Sequence, residues 1–401
     1  MGDLVYSATS RRARARARRR ELAHAAPLLA RLDWWMLLAV AAVVAYGLWA
    51  ISGITRHDIA GDPGYYVTRQ LVFVGIGLIG LVGAIFVEPT VYRRYQQHLY
   101  LGTLLIFLVV FLKGEVARGS RRWIDVGFFR FQPSEFGKLL VVLALAGFLA
   151  DRFKRVGEVS TVLRAVALGI PPILLVFIQP DIGSALVYVA ALGAVLFVAG
   201  VRWPHLAVLW SIAALGVVSV LWLLPAAGTD VLKPYQKNRL TGFLHPDQDP
   251  RGSTYNVTQS ITAVGSGGFD GRGVQGATQT NLQFLPEHAT DFAFASLSEQ
   301  RGFLGAAFLL MLYLFVVWRG LKVIAAARDA FSAIAAGGIV FAFLFQVFVN
   351  VGMTIGIAPV TGIPLPMVSV GGSSMVANLV AIGVLQAIHA RGRGRGRLAP
   401  W

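Results

Sequence analysis

Ten apolar runs divide this chain, and their length leaves them few uses. Crossing the hydrocarbon core of a bilayer takes about 20 mostly apolar residues in helical form. The runs fall at about 34–54, 70–88, 97–112, 134–150, 165–180, 182–200, 206–224, 302–318, 331–352 and 372–390. The third is short and the fifth and sixth nearly merge at Pro180, so nine or eleven spans compete with ten. The expected fold is an all-α integral membrane protein with about ten transmembrane helices. Composition agrees: of 401 residues, 56% are hydrophobic and 14% charged, where a soluble domain has about 25% charged. A soluble enzyme and a disordered chain are excluded, and a formal charge of +16 does not make this a nucleic-acid binder. The absence of cysteine rules out disulfides, thiolate catalysis and Cys-based zinc sites.

The basic residues give an independent reading of topology. With the N-terminus in the cytosol, inner segments collect 22 of the 36 Lys and Arg. Six acids join them (Asp3, Glu21, Asp33, Asp151, Glu158, Asp329), so the inner side carries the whole +16. Cytoplasmic loops are the basic ones in membrane proteins, which supports an even span count with both termini cytosolic. The organisation expected is a basic cytosolic tail at 1–33, one polytopic membrane domain at 34–390 and a second basic tail at 391–401. One large extracytoplasmic loop, about 225–301, separates spans seven and eight. The first apolar run begins only after residue 33 and is long enough to span, so no cleavable signal peptide is expected. The arginine run at 11–20 suits anionic membrane lipids.

Ionisable residues in or beside the spans gather at their outer ends: Glu135 and Lys138, Asp181, Asp291 and Glu299. Each is costly near hydrocarbon and is a site candidate on that ground. Their common depth points to one polar cavity opening outward. Pro286 suits the first turn of a helix, which would put Glu287 and Asp291 one turn apart on one face, flanked by phenylalanines at 284, 292 and 294. Repulsion and poor hydration raise a carboxylate's pKa and suit it to general-base work. The bland alternatives are a solvated loop helix there, a Glu135–Lys138 ion pair with Ser134 as N-cap, and Asp181 as a simple cap. Arg121, Arg122 and Trp123 are either an interfacial anchor or part of a phosphate-binding cluster with Arg130. His288 with Asp291 is too small a set for a metal. The glycines of 265–276 lack the surroundings of a nucleotide loop and are expected to allow tight turns and close backbone approach.

At these positions the sequence resembles the SEDS family of bacterial cell-wall proteins, its RodA branch rather than its FtsW branch. The matching stretches are Arg121-Arg-Trp-Ile with Arg130-Phe-Gln-Pro-Ser-Glu-Phe-Gly-Lys; Gln179-Pro-Asp-Ile-Gly-Ser-Ala-Leu; Tyr255-Asn-Val-Thr-Gln-Ser with Gly265-Ser-Gly-Gly. Further on come Gly276-Ala-Thr-Gln-Thr, Phe284 to Phe294, and Gly352-Met-Thr-Ile-Gly-Ile-Ala-Pro-Val-Thr-Gly-Ile-Pro-Leu-Pro with Gly371-Gly-Ser-Ser. They run in the family's order from about 34 to 390. Four positions depart from its pattern: Val370 replaces an aromatic, Ala289 a polar residue, Gln300 an acid and Gly137 an alanine.

The resemblance implies a multi-pass glycosyltransferase of the bacterial cytoplasmic membrane. It would polymerise lipid II at the outer face of that membrane during cell elongation, beside a class B penicillin-binding protein. Asp291 takes the position of the family's essential acid, and the positions implied for substrate are Arg121, Arg122, Trp123, Arg130, Glu135, Lys138, Asp181, Glu287 and Ser373. A divalent cation, magnesium or manganese, suits a pyrophosphate leaving group, but the sequence shows no full ligand set. Two rival functions share the same outline: a lipid II flippase, and a non-catalytic scaffold that activates a penicillin-binding protein.

Overall fold

The computed structural model describes residues 28–117, 120–125, 127, 130–229, 241–243 and 254–392, with only the backbone at 115–117, 120 and 121. Most of both arginine-rich tails, residues 1–27 and 393–401, falls outside the described residues, as does much of the loop between spans seven and eight. Nine described helices are long and apolar enough to cross a bilayer. They are α1 (Trp34–Ile54), α2 (Tyr65–Phe86), α3 (Gln96–Lys113), α4 (Pro133–Asp151), α5 (Val159–Ile178), α7 (Trp203–Ala226), α9 (Ala293–Ala326), α10 (Ala330–Thr354) and α11 (Gly372–Gly392). A further apolar helix, α6 (Ile182–Val198), has 17 residues. One more helix, α8 (Tyr255–Gly267), lies in the large loop against α9. Each of the ten expected runs therefore holds a helix. The doubtful third run is a full 18-residue helix, and α5 and α6 separate cleanly at Gln179–Asp181, where Asp181 caps α6.

The two ends of the membrane domain meet at one end of the bundle. Asp33 caps α1 and receives a fork from Arg319, with Nη2 2.7 Å from Oδ2. Gln386 of α11 accepts from the Asp33 N–H at 2.8 Å and donates back to its carbonyl at 3.1 Å. Arg391 reaches the carbonyls of Ile85 and Phe86 that close α2, each at 3.0 Å. An even number of crossings thus lies between the first helix and the last. The shared end is the basic one, which the positive-inside rule assigns to the cytosol. Glu88 follows α2 at this end and belongs in its count. The inner side then holds 22 basic and seven acidic residues, an excess of +15 rather than +16.

Burial sorts the helices. In the most apolar stretch of α11, 83% of residues are buried, against 11% in α7, so α11, α4 and α10 form the centre and α7 the rim. A helix that is apolar all round and little buried by protein faces lipid. Gly137 shows how tightly the centre closes: a Cβ there would lie 2.3 Å from Phe107 Cζ and 2.4 Å from the Tyr188 hydroxyl. The family's usual alanine has no room at 137 in this chain.

Two regions expected to lie in outer loops are structured. The basic segment after α3 forms a three-stranded antiparallel sheet in the order β1 (Glu115–Ala117), β2 (Ser120–Asp125), β3 (Arg130–Phe131). Trp123 and Ile124 favour strand, and Gly127 (φ 86°) allows the reversal between β2 and β3. This sheet is a small departure from the all-α expectation. The second region is the start of α9, which begins at Ala293 rather than near 302 and breaks at Gly302 (φ 63°). The break frees amides that the glycine-rich loop satisfies: Phe303 N donates to Gly268 O at 2.9 Å and Leu304 N to Phe269 O at 3.2 Å. Gly302 and Gly271 touch there, and a Cβ on Gly302 would sit 2.3 Å from Gly271 N. The expected close backbone approach is the role those glycines take.

Candidate active site

Asp291 stands in a turn at the bundle end opposite the basic one, just ahead of α9. The expected helix through Pro286 does not form. Glu287 has φ 56°, in the left-handed region, which ends any helical course one residue after the proline. The Phe292 N–H reaches back to Glu287 O instead, at 3.1 Å. Glu287 and Asp291 are therefore not a helical pair, although both face the same cleft. The Glu287 carboxylate accepts from Thr290 Oγ1 at 2.9 Å.

The turn is clamped by an irregular segment, residues 355–371, that joins α10 to α11. Irregular backbone at membrane depth needs protein around it or a cavity beside it. Ile363, Leu365 and Val368 are buried. Ser369 Oγ accepts from Leu365 N at 2.9 Å and donates to Thr290 O. Val370 N donates to Ala289 O at 2.9 Å. Two of the positions that depart from the family's pattern thus meet each other. Gly362 (φ 74°) lies against the Asp291 carboxylate. Gln70, fully buried on α2, binds both sides of the same segment: it donates to Ser369 O at 3.1 Å and accepts from Gly371 N at 3.2 Å.

The cleft these elements enclose measures about 780 Å³. Tyr66, Arg69 and Phe73 of α2 form one wall, and Arg122, Trp123 and Arg130 of the sheet another. Glu287, Thr290 and Asp291 form a third, and Gly371 to Ser374 close it with the first turn of α11. Ser373 Oγ accepts from Gln132 N at 2.8 Å and donates to Arg130 O at 3.2 Å, which ties β3 to α11.

Of the ten residues singled out from sequence, Arg122, Trp123, Arg130, Glu287, Asp291 and Ser373 line the cleft. The side chain of Arg121 lies outside the described residues. Asp181 is buried beside the cleft rather than lining it. It accepts from Ser184 N at 3.1 Å and from Gln132 Nε2 at 3.2 Å, with Arg122 Nη1 3.7 Å away. Arg122 also donates to the carbonyls of Gln179 and Pro180, so its charge is largely committed to the α5–α6 turn. Glu135 and Lys138 form a buried ion pair of 2.8 Å, and Lys138 also donates to Gln346 Oε1 at 3.0 Å. The pair borders a separate interior cavity among α4, α10 and α11. Ser134 does not cap α4; its hydroxyl lies 3.4 Å from Asp181 Oδ2. Glu299 is fully buried, fixing the short helical turn Thr278–Asn281 through Gln279 N, Thr280 N and Thr280 Oγ1.

Metal ligation gains little from this arrangement. His288 pairs with Asp58 at 2.9 Å, not with Asp291. Among the described residues no three His, Asp or Glu side chains converge as a ligand set. Three carboxylates line the cleft, Asp125, Glu287 and Asp291, too dispersed to form a site by themselves, and such acids hold a hard cation only when phosphate oxygens complete the set. Sequence reasoning missed Tyr66, Arg69 and Thr290 in the cleft, and Gln70 and Asn350 behind it. The available signal was polarity in the wrong place: Gln346 and Asn350 interrupt an apolar span, and Arg69 and Gln70 open another.

Fold and cleft together define a multi-pass membrane protein with an acid and several arginines gathered in one recess at the end of its helix bundle. A family model described as FTSW_RODA_SPOVE, cell cycle protein, matches residues 30–394, and the chain belongs to that family. It is 35% identical over 358 residues to the peptidoglycan glycosyltransferase MrdB of Escherichia coli K12, covering 89% of this chain and 93% of that one. Stage V sporulation protein E of Bacillus subtilis 168 matches at 35% over 353 residues, covering 87% and 93%. The probable peptidoglycan glycosyltransferase FtsW of Thioalkalivibrio sulfidiphilus matches at 37% over 374 residues, covering 90% of each. Among solved structures, a chain of a peptidoglycan synthase complex that coordinates polymerization and crosslinking superposes with a TM-score of 0.76 at 32% identity, covering 90% of this chain and 98% of that one. The rod shape-determining protein RodA of Thermus thermophilus gives 0.66 at 28% identity, covering 89% and 96%.

Proposed function

We propose that this chain is the peptidoglycan glycosyltransferase of cell elongation, polymerising lipid II at the outer face of the bacterial cytoplasmic membrane with Asp291 as general base. The activity follows the relatives named above; the elongation role follows the RodA-like wording at 352–366. One observation carries the site assignment: Asp291 shares a cleft with Arg69 and Arg130 at the end of the bundle opposite the basic one. An acid that accepts a proton and cations that receive a leaving phosphate are what this transfer requires.

In the reaction, Asp291 removes the proton from the acceptor sugar's 4-hydroxyl as that oxygen attacks the donor's anomeric carbon. The donor's bond to pyrophosphate breaks, and the electron pair leaves on the phosphate oxygen. Arg130 and Arg69 stabilise that charge, with Arg122 held further back by its carbonyl partners. A single displacement inverts the α-linked donor to a β-linked product, with one base and no covalent intermediate. Trp123 offers a flat apolar face to a sugar ring. A divalent cation, when bound, neutralises diphosphate charge; Glu287 is the residue that would hold it beside the phosphates. A cleft of about 780 Å³ is within the usual size of substrate sites. The partner is a class B penicillin-binding protein, a reading supported by the likeness to a synthase complex.

The test is lipid II polymerisation by the purified protein with its cognate transpeptidase. Asp291→Asn removes the base with almost no change of shape, so glycan ladders vanish while elution and thermal unfolding hold. Ladders of normal intensity from the variant would reject Asp291 as the base, and no ladders from the parent protein would leave the flippase or scaffold reading.

A further inference from the structure

Asn350 lies on α10 with no surface exposed, and the chemistry above gives it no part. Its amide nitrogen donates to Asp291 O and to Ile363 O, each at 2.8 Å. A side-chain amide has two N–H hydrogens, so both are engaged: one by the acid-bearing turn, the other by the segment facing it. The orientation is fixed by these partners, because a reversed amide would set its oxygen against two carbonyls. Asn350 Oδ1 is buried with no hydrogen-bond partner. What the amide does here is join two backbone segments: the turn that carries the acid and the wall beside it.

The two carbonyls bracket the place where the carboxylate leans on its neighbour. Gly362 precedes Ile363, and a Cβ on Gly362 would stand 3.3 Å from Asp291 Oδ2. One rigid side chain, rooted in a well-packed helix, therefore spaces the acid's own backbone from the wall beside its oxygen. We infer that Asn350 is a positioning residue for Asp291, aiming the carboxylate through the main chain without touching substrate. The inference rests on the reading of Asp291 as the base. Side chains that hold a reacting group act on the chemical step, because small misplacement of a reacting atom is costly in rate.

The experiment compares Asn350→Ala, Asn350→Ser and Asp291→Asn, each purified with the transpeptidase partner. Initial rates are taken across lipid II concentrations, per folded molecule, with thermal unfolding alongside. The expected result for both Asn350 variants is a kcat lowered about ten- to hundredfold with KM within about threefold of the parent. A merely structural residue would lower the yield or the unfolding temperature and leave kcat per folded molecule intact; that result overturns the inference. So would a raised KM at unchanged kcat, or failure of both variants to fold. Asp291→Asn separates the two ideas. If it still polymerises, the base assignment falls whatever Asn350 does; if it is inactive while the Asn350 variants turn over normally, only the positioning role falls.

Discussion

Gly362 and Asp291 leave little room for a methyl group between them: a Cβ on the glycine would stand 3.3 Å from the carboxylate oxygen, close enough to push it aside. The glycine also has φ 74°, where an L side chain is strained. Gly362→Ala should cost about 1–2 kcal/mol through the left-handed backbone. It should also lower polymerisation at least about tenfold by turning the carboxylate aside. Thermal unfolding and a glycan ladder assay read the two effects apart, and an unchanged rate would show that this wall does not place the acid.

Arg122 joins β2 to the α5–α6 turn through two carbonyls and the Asp181 carboxylate. A lysine has one compact ammonium and cannot reproduce that fork. Arg122→Lys and Asp181→Asn should each lower the unfolding temperature. The double variant should lose less than the sum, with a coupling of about 0.5–3 kcal/mol. Strict additivity would mean that the two residues act independently.

At the opposite end, Asp33 and Arg319 form a buried fork. Asp33→Ala strands a guanidinium in a poorly hydrated place, and removing one member of such a pair costs about 3–5 kcal/mol. The variant should unfold at a clearly lower temperature, yet polymerise normally per folded molecule, since the cleft is at the other end. Loss of turnover in molecules that remain folded would contradict this separation.

Gly137→Ala tests packing rather than chemistry. The added methyl meets Phe107 and Tyr188, and overpacking of this kind costs about 1–3 kcal/mol. Phe107→Leu in the same chain should restore part of the loss in a melting experiment. No change on Gly137→Ala would show that the ring of Phe107 gives way freely.

The ten apolar helices, nine of them long enough to cross, were legible because a bilayer imposes one length and one polarity on every crossing. The sheet was not, since β1 and β3 have three and two residues and register as loop. The first turns of α9 were missed for a different reason. Ser296, Ser298, Glu299 and Gln300 look like loop residues, but they are buried against protein and never meet lipid. Asp291 was singled out by its place at the outer end of a span and by the resemblance to the family's acid, and the structure puts it in the cleft, yet the helix drawn through it was wrong, because nothing local announces that Glu287 turns left-handed. Asn350 and Gln70 passed unnoticed inside apolar stretches, where a lone amide says nothing of the distant carbonyls it reads.

One side of the cleft is the opening turn of α11, Gly371 to Ser374. The cleft's lining runs in sequence from Tyr66 to Ser374. A fragment that stops short of α11 would carry the acid, the arginines and the sheet around a recess still open on one side, so no shorter stretch of chain can assemble the whole of it.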